Sequence, residues 1–174
     1  MDLDKDLDFI IQNFEGSEFV DHPDDRGGPT KFGITKKALS GFLGRSVSTN
    51  EIHELTLTLA RKVYVDRYAK PGRANDLQSP LRLAVLDYAI HSGPVKAIKA
   101  IQEIVKVAPD GILGPVTWAA IQKNDPRGLC AKLMGERLVF LTRIVSRDRS
   151  QAEFIYGWGK RLAKIMEKSA EKSA

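Results

Sequence analysis

Apolar residues recur at helical spacing along almost the whole of this 174-residue chain, and only Ser17 to Ile34 lacks that period. Apolar stripes of this kind are buried by packing helix on helix. The expected fold is therefore mainly α, with a small β-ribbon or loop confined to residues 18–34 and short strands around Phe19-Val20 and Phe32-Ile34. The punctuation agrees. Leu3, Leu7, Ile10, Ile11 and Phe14 share one helical face, and Gly16 ends that helix just past Glu15. Thr35 caps a short helix stopped by Gly44, Ser48 and Glu51 have capping-box spacing, and Thr56 opens a helix to about Tyr68. After the break at Lys70-Pro71-Gly72, Ser79-Pro80 reads as a cap followed by a first-turn proline. It opens a helix with Leu81, Ala84, Val85, Tyr88 and Ala89 inward. Gly93-Pro94 starts another through Val107, Asp110-Gly111 makes a turn, and Thr117 to Lys123 forms one or two helical turns. Asp125-Pro126 leads into a long helix to about Arg147. Ser150 and Glu153 repeat the capping-box spacing for a last helix to about Lys168.

Several function classes are excluded at this level. The lone cysteine, Cys130, forbids a disulfide within the chain, and its place between Leu129 and Leu133 reads as a buried small hydrophobe. His22, His53 and His91 are scattered without ligand spacing, so neither a zinc site nor any other metal or cofactor is expected. No apolar run approaches the roughly 20 residues that span a bilayer, so stable membrane insertion is not expected. The acidic opening, MDLDKDLDF, is not a signal peptide, which predicts synthesis in the cytoplasm. The net charge of +5 hides a polarity: residues 1–30 hold nine acidic side chains against two basic ones, and the remainder holds 25 basic against 13 acidic. A basic body suits an anionic partner. Nucleic acid is the least suitable one, because the charges form no recognition-helix arrangement and the acidic segment repels phosphate. The basic run Lys160, Arg161, Lys164, Lys168 and Lys172 reads as a solvated helix face. Trp118 and Trp158, flanked by apolar residues, read as packing anchors.

One carboxylate stands out. Glu15 closes an apolar-faced helix, beside Phe14 and Phe19, where partial desolvation and the negative end of the helix dipole both favour a protonated carboxyl. A proton-bearing carboxyl is what a glycosidase uses to protonate a leaving oxygen. Asp24 follows nine residues on, with Asp21 and Asp25 as competitors, and a short ribbon can fold an ionised Asp back across a cleft from the glutamate. Thr30 then holds a water or orients the sugar. As an ordinary hairpin turn, Asp24-Asp25-Arg26-Gly27-Gly28 needs no function at all. As a calcium loop it would place Pro23 where a carboxylate belongs.

The run from Phe14-Glu15-Gly16-Ser17 through Asp21, Asp24, Gly27-Gly28, Thr30 and Gly33-Ile34-Thr35 strongly resembles the opening of glycoside hydrolase family 108, which includes phage endolysins and secretion-associated muramidases. The Glu15–Asp24–Thr30 spacing also resembles that of phage-type lysozymes. Further down, Tyr64, Tyr68, Asp87-Tyr88-Ala89 and Ala100-Ile101-Gln102 match, and Asp110 to Thr117 resembles the start of the family's C-terminal predicted peptidoglycan-binding segment. Phe154, Gly157-Trp158 and Arg161 resemble its closing helix. The chain departs from the pattern at Ser17, usually a second glycine, and at Ala69, often a tryptophan.

The resemblance implies a lysozyme-like fold with a muramidase region over residues 1–92 and a helical peptidoglycan-binding region over 93–174, packed as one compact unit. It implies an N-acetylmuramidase cutting the β-1,4 bond between N-acetylmuramic acid and N-acetylglucosamine in peptidoglycan strands. Glu15 is its general acid, with Asp24 and Thr30 assisting. Gly28 and Gly33 let backbone approach the glycan. From helical spacing rather than the resemblance, His91, one turn from Asp87, and Tyr88, a core residue whose hydroxyl can reach the cleft, are the further substrate-binding candidates. The expected protein is a monomer that reaches the wall through a holin-like pore, an exporter or lysis. A lytic transglycosylase using the same glutamate and a non-catalytic peptidoglycan-binding or secretion-accessory module are the competing readings.

Overall fold

In the computed structural model, which describes residues 2–21 and 28–171, the chain folds as two compact units, Met1–Lys70 and Pro71–Ala174. It is mainly α-helical with one small antiparallel ribbon.

In the first unit, α1 (Asp2–Ile10) continues into a π-helical turn, Ile11–Glu15, which Gly16 ends at φ +69° by donating its N–H to the Ile11 carbonyl at 3.2 Å. The ribbon pairs β1 (Thr30–Lys31) with β2 (Ile34–Thr35), and Val20 bridges the outer side of Thr30. The expected strand at Phe32-Ile34 is thus shifted. Phe32 and Gly33 form the two-residue turn instead, both at positive φ (51° and 70°), which a tight hairpin requires. Phe19 lies outside the pairing. Thr35 then caps α2 (Lys36–Leu43) by accepting from Ala38 N–H at 3.2 Å, and left-handed Gly44 closes it. The Ser48–Glu51 capping box opens α3 (Thr49–His53). Thr56 caps α4 (Leu57–Tyr64), which also ends in a π-helical turn, Val65–Ala69. Leu7, Ile10, Ile11, Ile34, Leu39, Ile52 and Val63 are buried as the core of this unit.

The second unit is built around α5 (Leu81–Ser92), which packs against α6 (Pro94–Ile104), α8 (Pro126–Arg147) and α9 (Ile155–Ala170). Every residue from Leu81 to Ala89 is buried, so α5 hides all its faces and not only the predicted stripe. Ser79 does not cap it: Pro80 occupies the cap position, and the Gln78 and Pro80 carbonyls take the first amides at 3.0 and 3.3 Å. α6 stops three residues short of Val107, and Lys106 turns the chain at φ +60°. α7 spans Pro115–Gln122. Asp125 caps α8 as expected, its side chain accepting from Gly128 N–H at 2.7 Å. The Ser150–Glu153 box does not form. Asp148, a charged and stronger acceptor, takes both the N–H and the hydroxyl of Ser150 (3.0 and 2.7 Å), and a 3-10 turn, Arg149–Phe154, precedes α9. Cys130 is buried and unpaired. Among the described residues, no helix is long and apolar enough to cross a membrane.

Candidate active site

The π-helical turn after α1 delivers Glu15, half-buried, onto the hairpin turn. A side chain at Gly33 would have no room there. Its Cβ would stand 2.5 Å from the Tyr64 hydroxyl and closer still to Glu15 Oε2. Gly33 therefore serves two needs at once: the left-handed backbone of the turn and the close approach of a carboxylate and a phenol. Tyr64, buried at the end of α4, donates its hydroxyl to the Phe32 carbonyl at 2.8 Å and so ties α4 to the same turn. Two helices that end in π-helical turns thus meet over a two-residue hairpin. Single π-turns inside helices recur at functional sites because they displace the following side chain from the regular face.

Around this centre, Lys31 donates to the His53 carbonyl at 2.6 Å, and the Phe19 ring packs edge-on against His53 at 5.1 Å. Tyr68 lies 5.7 Å from Tyr64, ring to ring. A cavity of about 270 Å³ opens beside the π-helical turn, lined by Ile11, Gln12, Gly16, Ser17, Phe32, Leu57 and Asp8. Asp8 is paired with Arg61 at 2.5 Å.

The other sequence candidates are distributed as follows. Thr30 sits in β1, exchanges both backbone hydrogen bonds with Val20 (2.8 and 2.9 Å), and donates its hydroxyl to the Gly28 carbonyl at 2.9 Å. That bond orients the hydroxyl oxygen and spends its proton. Gly28 is at φ +65°, and among the described residues no atom lies within 4 Å of where its Cβ would stand. Asp21 is exposed. Asp24 and Asp25 lie outside the described residues.

Tyr88 and His91 belong to α5 in the second unit. Tyr88 is buried, with the Arg137 guanidinium 5.1 Å from its ring centre. His91 is half-buried, shares a hydrogen bond with the Ser92 hydroxyl (3.3 Å), and meets the Trp158 ring edge-on at 6.2 Å. Burial first, and then the nearby Arg137 and Arg161, push its pKa down to about 4, so it is neutral at pH 7. Beside them, Asp87 is fully buried between two guanidiniums. Arg137 pairs with one carboxylate oxygen and Arg161 with the other, at 2.9 Å from Nε and 2.8 Å from Nη2.

The sequence reading missed what Tyr64 does. Its inward position on α4 follows from helical spacing, but its partner, the Phe32 carbonyl, is 32 residues away in the chain. The motif Asp110 to Thr117 has an equally concrete cause. Buried Gln102 donates to Asp110 Oδ1, the Ile112 carbonyl and Thr117 Oγ1 (2.7, 3.0 and 3.0 Å) and accepts from Gly111 N–H at 2.8 Å. One carboxamide thus satisfies most of the turn that leads into α7.

The glycosyl hydrolase 108 family model matches residues 8–93, and the model of a predicted peptidoglycan domain matches residues 96–163. Among solved structures, SagA of Brucella abortus superposes with a TM-score of 0.85 at 34% identity, covering 97% of this chain and 93% of that one. No curated protein gives a significant match. A family model matched over residues 8–93, a second over residues 96–163, and a solved relative alike over almost its whole length lead to one conclusion: the chain belongs to glycosyl hydrolase family 108.

Proposed function

We propose that this family member, a glycoside hydrolase acting on peptidoglycan, is an N-acetylmuramidase. It hydrolyses the β-1,4 bond between N-acetylmuramic acid and N-acetylglucosamine, with Glu15 as general acid. The observation that carries the reading is the seating of the Glu15 carboxyl, half-buried at the end of a π-helical turn and held over Gly33 beside the Tyr64 hydroxyl. A carboxyl restrained in this way reaches its substrate oxygen with little reorganisation, which is where positioned acid catalysis gains its rate.

In the proposed reaction Glu15 protonates the glycosidic oxygen as the bond to the anomeric carbon breaks. The anomeric centre becomes oxocarbenium-like, Asp24 supports attack by water, and Thr30 holds that water or the sugar. Gly28 and Gly33 let the backbone of the first unit approach the glycan; in the second unit half-buried His91 is the substrate-binding candidate, whereas burial leaves the Tyr88 ring in the core. The muramidase region corresponds to residues 1–92 and the wall-binding region to 93–174. The substrate sets the place of action at the cell wall, reached through a holin-like pore or an exporter.

The decisive experiment is digestion of isolated sacculi by the unmutated protein and by Glu15→Gln, counting reducing ends and anhydro products. A loss of at least ~100-fold in released ends is expected for the variant. Anhydro products in place of reducing ends would make the enzyme a lytic transglycosylase. Near-normal turnover of the variant would end the assignment of Glu15.

A further inference from the structure

The second unit carries a recess that the reaction at Glu15 does not use. It has a volume of about 60 Å³ and is walled by Trp118 of α7, with Asp76, Gln78, Gln122 and Asn124 around it and buried Ile121 in its apolar part. At roughly 10–15 Å³ for each water-sized group, it admits about four to six such groups, enough for the four heavy atoms of an acetamido substituent.

Its walls are held in place. The Arg73 guanidinium lies 5.7 Å from the Trp118 ring centre, and its Nε donates to Asp76 Oδ2 at 2.6 Å. A further bond from Arg73 Nη1 to the Leu113 carbonyl (3.1 Å) locks the arginine, so one side chain orients both the aromatic wall and the carboxylate. Asn124 spends its Nδ2 on the Ala120 carbonyl at 2.9 Å, which leaves Oδ1 as an acceptor. Gln78 and Gln122 add carboxamide donors. An acetamido group needs one acceptor for its N–H, one donor for its carbonyl and an apolar surface for its methyl. The side chains lining the recess include all three kinds of group, beside the Trp118 indole, an aromatic of the type that packs on sugar rings.

We propose that this recess is a subsite for an N-acetylated sugar residue of the glycan strand. It would give the enzyme a second grip on peptidoglycan in a different unit from Glu15. The inference rests on the reading of peptidoglycan as substrate, whose backbone sugars carry acetamido groups.

The test uses Trp118 as its own reporter, since the chain has two tryptophans. A full-length Glu15→Gln, Trp158→Phe protein is titrated with the tetramer of N-acetylglucosamine and, separately, with cellotetraose, which lacks the acetamido groups. A saturable change in Trp118 emission is expected with the acetylated tetramer alone. Adding Gln78→Ala and Gln122→Ala should weaken it by about tenfold. No response, or equal responses to both tetramers, would overturn the subsite. Sacculus digestion by the unmutated protein separates this proposal from the one it rests on. Digestion without a Trp118 response removes the subsite and leaves the hydrolase. A selective response without digestion removes the hydrolase reading and leaves the sugar site.

Discussion

The carboxylate of Glu15 occupies the space that a side chain at Gly33 would need. This contact links an acid near the N-terminus to a turn eighteen residues later, and it makes position 33 a test of how the acid is held.

Gly33→Ala should be costly on two counts. Alanine at φ +70° is strained, and its methyl collides with Glu15 Oε2 and the Tyr64 hydroxyl. We expect a loss of about 2 kcal/mol or more in unfolding free energy. Sacculus cleavage should fall by roughly 100-fold as the carboxyl is displaced. Gly44→Ala is the control, with the same left-handed strain and, among the described residues, nothing within 4 Å of the added methyl. It should lose only about 1 kcal/mol and cleave normally. Urea unfolding and turnover of both variants check the pair.

Asp87 pairs with both the Arg137 and the Arg161 guanidinium. Arg137 is fully buried, and its Nε and Nη2 find no hydrogen-bond partner among the described residues. Asp87→Ala leaves that charge uncompensated, and a destabilisation of about 3–5 kcal/mol is expected in chemical denaturation. A loss below 1 kcal/mol would mean that water or a rearranged partner already neutralises Arg137.

His91 sets an acid limit on stability. Its folded pKa of about 4 lies below the ordinary 6.5, so the unfolded chain binds the proton more readily. The stabilisation is fully present above pH 6.5 and is lost as pH falls toward 4. The charged groups behind the shift are Arg137, Arg161 and Lys96, opposed by Asp87. Thermal melts from pH 7 to pH 4 should show a falling midpoint, and His91→Asn should flatten that part of the profile. Glu51, held down to about 2 chiefly by Arg45, titrates below this window.

Gln102→Ala should loosen the turn before α7. It strands the Gly111 N–H and removes a donor from Asp110, Ile112 and Thr117. We expect about 3 kcal/mol of lost stability. Hydrogen exchange should show faster exchange at Gly111 with little change at Ala38, whose amide is bonded within the first unit.

Much of this molecule is legible in its sequence, because caps and glycine stops act over three or four residues. Thr35, Ser48, Thr56 and Asp125 form the bonds their spacing predicts. The same local logic fails at Ser150, where Asp148 is the stronger competitor two residues away. It fails again at Phe32, whose left-handed backbone accompanies an anchor from a distant helix. The enclosure of α5 on every side was also not visible, since apolar periodicity reports a stripe and not how many neighbours will cover it.

By itself, then, the sequence determined the helical class, the position of the break after Glu15 and the family signature, all of which depend on residue type and short spacing. Only the tertiary structure decided that Glu15 and Tyr64 converge on Gly33, that Asp87 is shared by two arginines, and that Gln102 holds the Asp110 turn. Each of these contacts joins residues whose separation along the chain carries no information about their distance in space. They exist because buried carboxylates, guanidiniums and carboxamides must find partners wherever packing brings them.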